Sequence, residues 1–403
     1  MTGADPRNPL VERMRAFGTT IFAEMSALAL ATGSINLGQG FPDTDGPPEL
    51  LAAAAEAIRT GHNQYPPGPG MPELRAAIAH HQRTCYGLHY DPDAEVLVTA
   101  GATEAIAAAL LALAGPGDEV VVFEPYYDSY AACIALGGAQ RRTVTLRRDS
   151  AVRAGAGWTF DAAELAAAIT PRTKAILLNS PHNPTGKVFT PEELEVIAAA
   201  ARGRDLIVIA DEVYEHLIFD GRAHLPIATL PGMRERTVTI SSAGKTFSVT
   251  GWKIGWVCAP PRLLNAVRAV KQFLTYVSGA PFQPALAQAL MAPNPFYSRA
   301  FEPLQRQRDL LCAGLRELGF DVIAPQGTYF ATVDVHSDGV EFCRDLPARA
   351  GVVAIPSSVF YDSHDGDSYV RFAFCKSTDV LDEALTRLKA ADPKAARRKV
   401  AVR

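Results

Sequence analysis

The chain carries a series of short, mostly apolar runs that, TVTIS aside, do not alternate in polarity. They stand at 96–98 (VLV), 120–123 (VVVF), 174–179 (KAILLN), 206–210 (LIVIA) and 237–241 (TVTIS). A strand with one wet face alternates apolar and polar residues; a strand covered on both faces need not. Helical patterns lie between the runs. One opens at Gly101-Ala102-Thr103, is rich in Ala and Leu, and ends at Gly115-Pro116-Gly117. Another opens at Thr190-Pro191-Glu192-Glu193, a capping box with proline at the first helical position, and continues to about residue 201. Such alternation specifies an α/β fold with a mainly parallel central sheet flanked by helices.

The flanks read differently. Residues 1–17 are polar and irregular. A short strand at 35–37 (INL) runs into the tight loop Gly38-Gln39-Gly40-Phe41-Pro42-Asp43. Helices are expected at 49–59 and 73–86, separated by NQYPPGPG (63–70), whose prolines and glycines suit neither helix nor strand. After GWVC (255–258) the chain is mostly helical to about 318. An α+β stretch follows, with strands expected at 327–330, 352–355 and 369–374 and a last helix at 378–390, as in a smaller domain. A length of 403 residues has room for two or three domains.

Charge and cysteine content narrow the function classes. With 39 Lys+Arg and 43 Asp+Glu the net charge is −4, which offers no footprint for nucleic acid. The one basic run, Arg397-Arg398-Lys399 with Arg403, reads as a solvated end. The six cysteines at 85, 133, 258, 312, 343 and 375 are at least 31 residues apart, too far for a zinc-site spacing. They suit buried thiols in a reducing cytoplasm. There is no apolar run of about 18 residues and no signal-peptide core, so a cytoplasmic protein without a membrane partner is expected.

Four local motifs invite a functional reading. Ala243-Gly244-Lys245-Thr246 resembles the end of a nucleotide-binding phosphate loop. The first glycine of such a loop belongs at 239, which is Thr, and the acidic strand end at Asp211-Glu212 precedes the lysine instead of following it. Gly38-Gln39-Gly40 begins a dinucleotide fingerprint, but position 43 is Asp. Gly101-Ala102-Thr103 presents backbone N–H groups at a helix start, which suits a phosphate or ordinary capping equally. Lys245 closes an apolar strand among small residues, either as a solvent-facing lysine or as a Schiff-base lysine activated by desolvation.

Taken together, eight segments in order resemble the fold-type I pyridoxal-phosphate aminotransferases of class I/II. They are INLGQGFPD (35–43), NQYPPGPG (63–70), VTAGATEA (98–105), EPYYDSY (124–130), NSPHNPTGKVF (179–189), ADEVYEHL (210–217), SSAGKTFSVTGWKIGW (241–256) and YVRFAFCK (369–376). Within that family the likeness is to the branch of kynurenine, glutamine and methionine aminotransferases and actinobacterial N-succinyldiaminopimelate aminotransferase. The resemblance implies pyridoxal 5'-phosphate as cofactor, amino-acid and 2-oxo-acid substrates, ping-pong transfer of an amino group, and a homodimer. It leans towards N-succinyl-LL-2,6-diaminopimelate with glutamate; a kynurenine, glutamine or methionine donor and a C–S β-lyase activity are the alternatives.

The resemblance also implies roles. Lys245 would bond the cofactor and shuttle the proton, Asp211 would pair with the pyridinium nitrogen, and Asn183 and Tyr214 would hydrogen-bond the ring oxygen. Tyr127 would stack on the ring, where the family usually shows Phe or Trp. Gly101, Ala102 and Thr103 would hold the phosphate with Ser242 and Lys253, and Tyr65 would reach it from the neighbouring subunit. Arg371 would clamp the substrate α-carboxylate, with Asn183 beside it and Gly40 approaching closely. A large cofactor domain is expected at 46–290, a small one built from 16–45 together with 291–390, and flexible ends at 1–15 and 391–403.

Overall fold

The computed structural model describes residues 9–18, 20–149, 157–293 and 295–391. The basic tail, and most of both ends expected to be flexible, lie outside the described residues. A seven-stranded sheet runs in the order Val96–Thr99, Gly255–Cys258, Thr237–Ser242, Ile207–Asp211, Thr173–Asn179, Glu119–Glu124, Gln140–Thr145. Gly255–Cys258 is antiparallel to both neighbours, and the other adjacent pairs are parallel.

The non-alternating runs are buried on both faces, with successive residues entering different cores. Val120 and Val122 join the cluster under helices Gly101–Leu113, Asp128–Gly137 and Pro261–Lys271. Val121 and Phe123 point the other way, onto Leu194, Ile197 and Ala198 of helix Pro191–Gly203. That helix starts where the capping box placed it. Thr190 Oγ1 accepts from Glu193 N at 3.2 Å, and Glu193 Oε2 accepts from Thr190 N at 2.9 Å.

A second, antiparallel sheet contains Asp321–Ile323, Phe330–Asp334, Tyr369–Ala373 and Ile355–Pro356. The strand Ile35–Asn36 pairs in parallel with Val352–Val353. The loop after it is stitched to the far end of the chain. Ala373 N donates to Leu37 O at 2.6 Å, Lys376 Nζ to Phe41 O at 2.9 Å, and Ser377 N to Asp43 Oδ2 at 2.9 Å.

Several local expectations change. The strand expected at 327–330 begins only at Phe330, because Thr328 adopts φ +66° and donates its N–H to Leu217 O in a turn. The run 352–355 is two short strands, Val352–Val353 and Ile355–Pro356, which belong to different sheets. Residues Glu12–Met14 form a turn of 3-10 helix within the stretch read as irregular. Helices Ile21–Thr32 and Gly339–Ala350 were not expected. Cys85 is exposed, whereas the other five cysteines are buried. Among the described residues no helix is long and apolar enough to cross a membrane.

Candidate active site

Parallel strands of an α/β sheet place ligands at their carboxyl ends. Here Asn179 and Asp211 end adjacent strands in direct register, Ser242 ends the next, and the helix from Gly101 opens just after Val96–Thr99. A cavity of about 360 Å³ lies over these ends. Gly101, Ala102, Thr103, Tyr127, Asn183, Asp211, Tyr214, Ser242, Lys245 and Lys253 line it from the large sheet's side, and Gly40 and Arg371 from the other. Tyr65 is not in that lining; it is 80 % exposed and lies edge-on to Tyr276.

The helix start is built for an anion. Its first amide groups have no partners within the helix. Lys253 lies over it, with Nζ 3.1 Å from where a Cβ on Gly101 would stand. Gly255 passes so close that its own Cβ would fall 2.6 Å from the Gly101 carbonyl carbon, so only glycine fits there.

Asp211 is 4 % exposed. Tyr130 Oη donates to its Oδ2 at 2.5 Å and Val213 N to its Oδ1 at 3.3 Å. Burial pushes its carboxyl up to about 6, opposed by these donors and by Lys245. Burial likewise lowers Lys245 to about 8, although Cys375 and Asp211 pull the other way. An amine at that value exchanges protons near neutral pH. Lys245 Nζ donates to Tyr329 Oη at 2.7 Å and lies 5.8 Å from the Tyr214 ring centroid.

Arg371 is buried, with its guanidinium 3.9 Å from the centroid of Phe330. Nη1 donates to Asn183 Oδ1 at 3.0 Å and Nη2 to Gly38 O at 2.9 Å. Both acceptors are neutral, and Nε is buried without a partner. Burial lowers its pKa to about 10, so it is a cation at neutral pH. A buried cation with an unmet donor is a site for an anion. Gly40 owes its identity to the aromatic wall as well as to the cavity, since a Cβ there would sit 2.3 Å from Phe330 Cζ.

Several lining residues carried no individual reading from sequence: Tyr130, Asn179, Phe22 and Phe330. Tyr130 was in sight, three residues beyond Tyr127 at the start of one helix. Phe22 had no local signal.

The donor set fits a phosphorylated pyridine aldehyde. It offers free amides and a lysine for phosphate, a buried carboxylate for a ring nitrogen, a buried amine for the aldehyde carbon and an unmet guanidinium for a substrate carboxylate. The family profile for aminotransferase class I and II matches residues 32–388. This chain belongs to the class I and II aminotransferases. It is 54 % identical over 391 residues to the probable N-succinyldiaminopimelate aminotransferase DapC of Mycobacterium tuberculosis, covering 94 % of this chain and 97 % of that one. The methionine aminotransferase of Escherichia coli is 40 % identical, over 95 % of this chain and 99 % of its own. The solved N-succinyldiaminopimelate aminotransferase of M. tuberculosis superposes with a TM-score of 0.92, covering 95 % of this chain and all of that one. This aminotransferase is therefore a pyridoxal-phosphate enzyme of fold type I, as its motifs implied.

Proposed function

We propose that this aminotransferase moves an amino group between N-succinyl-LL-2,6-diaminopimelate and 2-oxoglutarate in two successive half-reactions. The observation that carries the substrate is the 54 % identity over nearly the whole of both chains. Bound pyridoxal phosphate supplies an electron sink and a carrier for the amino group.

The residues divide the work. Lys245 bonds the cofactor and, once free, moves the proton at the substrate Cα; its lowered pKa supports that use. Asp211 keeps the ring nitrogen protonated, held in place by Tyr130. Asn183 spends its Oδ1 on Arg371, which leaves its amide nitrogen for the ring oxygen alongside Tyr214. Tyr127 covers the ring face. The amides of Gly101, Ala102 and Thr103, with Ser242 and Lys253, hold the phosphate. Arg371 takes the α-carboxylate, and Gly40 closes that side and excludes water.

Residues 46–290 form the cofactor-binding domain in this reading, and 16–45 with 291–390 the small domain that carries Arg371. The enzyme works in the cytoplasm as a homodimer in which Tyr65 completes the neighbouring phosphate site. The exposure of Tyr65 and Tyr276 (55 %), whose rings meet edge-on, supports a second copy there.

Single-turnover reactions of the cofactor-loaded enzyme with a panel of amino donors test the reading. N-succinyl-LL-2,6-diaminopimelate and glutamate are expected to convert the cofactor fastest. A faster reaction with kynurenine or methionine would reassign the substrate. Release of pyruvate and ammonia from a cystathionine-type donor would make the enzyme a lyase.

A further inference from the structure

Tyr329 stands where the two halves of the site meet. Its hydroxyl accepts from Lys245 Nζ at 2.7 Å and donates to Gly40 O at 2.5 Å. A phenol has one proton, and here Gly40 takes it, so an oxygen lone pair faces the amine. The ring cannot swing away. It is 1 % exposed and packs edge-on against Tyr214 at 5.3 Å and Phe330 at 4.8 Å. The left-handed turn at Thr328 fixes its backbone. Lys245 lines both the first cavity and a second one of about 490 Å³, which Tyr329 lines together with Arg299, Leu304 and Cys375. Without the phenol oxygen the freed lysine amine has space to turn into in either cavity.

We propose that Tyr329 is a positioning residue for the acid–base chemistry of Lys245: it holds the amine in one place between the two cavities whenever that amine is not bonded to the cofactor, and ties its position to the loop that carries Gly40. This rests on the aminotransferase reading of Lys245. A lysine on a four-carbon stem carries much rotamer freedom, and a proton carrier must stay within hydrogen-bond reach of the atom it serves. An acceptor at 2.7 Å removes that freedom and favours the ammonium form. The other charged and titratable groups acting on the amine are Asp211, Cys375, Lys253 and Arg371, with the Tyr214 ring nearby. Any pH effect of Tyr329 adds to theirs.

Tyr329→Phe keeps the ring and its packing and removes only the hydroxyl. In the cofactor-loaded enzyme the expected result is a fall in kcat of about tenfold. The KM for the amino donor should change less, and the acid limb of the kcat–pH profile should move down by about one unit. Wild-type kcat with an unmoved limb would overturn the proposal. So would a raised KM at unchanged kcat, which would confine Tyr329 to supporting the loop. A second measurement does not depend on turnover. In cofactor-free protein, labelling of Lys245 by an amine-reactive reagent, followed by peptide mass spectrometry across pH, should have its midpoint lowered by about one unit in the variant. An unchanged midpoint refutes the hold on the amine. If wild-type enzyme showed the labelling shift against the variant but no transamination, the functional reading would fail and the contact would stand.

Discussion

Replacing Asp211 by Asn should make the cofactor-free protein more stable at neutral pH while weakening its grip on the cofactor. The carboxyl is raised from 3.8 to about 6, chiefly by burial. That difference of roughly two units corresponds to about 3 kcal/mol. Because the folded value is the higher one, the folded state prefers the neutral acid. Its contribution is fully present below the unfolded value and is lost as pH rises through about 6. Asn has the same shape and never ionises, so it escapes that loss. Its Oδ1 keeps Val213 N and its amide nitrogen donates to Tyr130 Oη, but the buried Tyr130 hydroxyl proton then loses its acceptor, at about 1 kcal/mol. The net expectation is a gain of about 2 kcal/mol at about pH 7.5 and a deficit of about 1 kcal/mol near pH 4. Urea denaturation of cofactor-free wild type and variant at the two pH values measures both, and absorbance titration measures cofactor affinity. A variant that is less stable by the same amount at both pH values would show that Asp211 is not carrying a buried-charge penalty.

Three further outcomes follow from the geometry. Lys245→Ala should abolish the covalent attachment of the cofactor, measured by borohydride reduction and mass spectrometry, and slow the half-reaction by about 10²–10⁴-fold or more, measured by stopped flow. Arg371→Lys should lower kcat/KM for amino donors by about 10–100-fold, because a point charge cannot reproduce a forked guanidinium. The cofactor's absorption should persist in that variant. Gly255→Ala should destabilise the protein by about 1–3 kcal/mol, because its Cβ would lie 2.6 Å from the Gly101 carbonyl carbon and 2.7 Å from Ala102 N. Thermal denaturation and phosphate binding should both register the push on the helix start.

The large sheet was legible because its signals are local. Doubly buried strands lose alternation within a few residues, and the capping box at Thr190 lies within four positions. The site motifs were legible for a related reason, since each occupies a strand end or a helix start. Helix Ile21–Thr32 escaped because IFAEMSALALAT is apolar around most of its circumference and shows no single stripe. The expected strand at 327–330 failed on one backbone angle, at Thr328, which only tertiary contact with Leu217 imposes. Tyr329 gave no local signal because its two polar partners, Lys245 and Gly40, lie 84 and 289 residues away in sequence.

The stitching of the loop at 37–43 to residues 371–377 has a consequence for synthesis. Gly38 and Arg371 are separated by 333 positions. At about 5–20 residues per second a ribosome needs roughly 20–70 s to deliver the second after the first. Every strand of the seven-stranded sheet is complete well before then. The large sheet can therefore form while Leu37 waits with its side chain uncovered and the backbone oxygens of Gly38 and Phe41 lack their donors. For that interval the nascent chain holds Lys245 without Arg371, and a chain stopped short of residue 371 never completes the cavity that the two line.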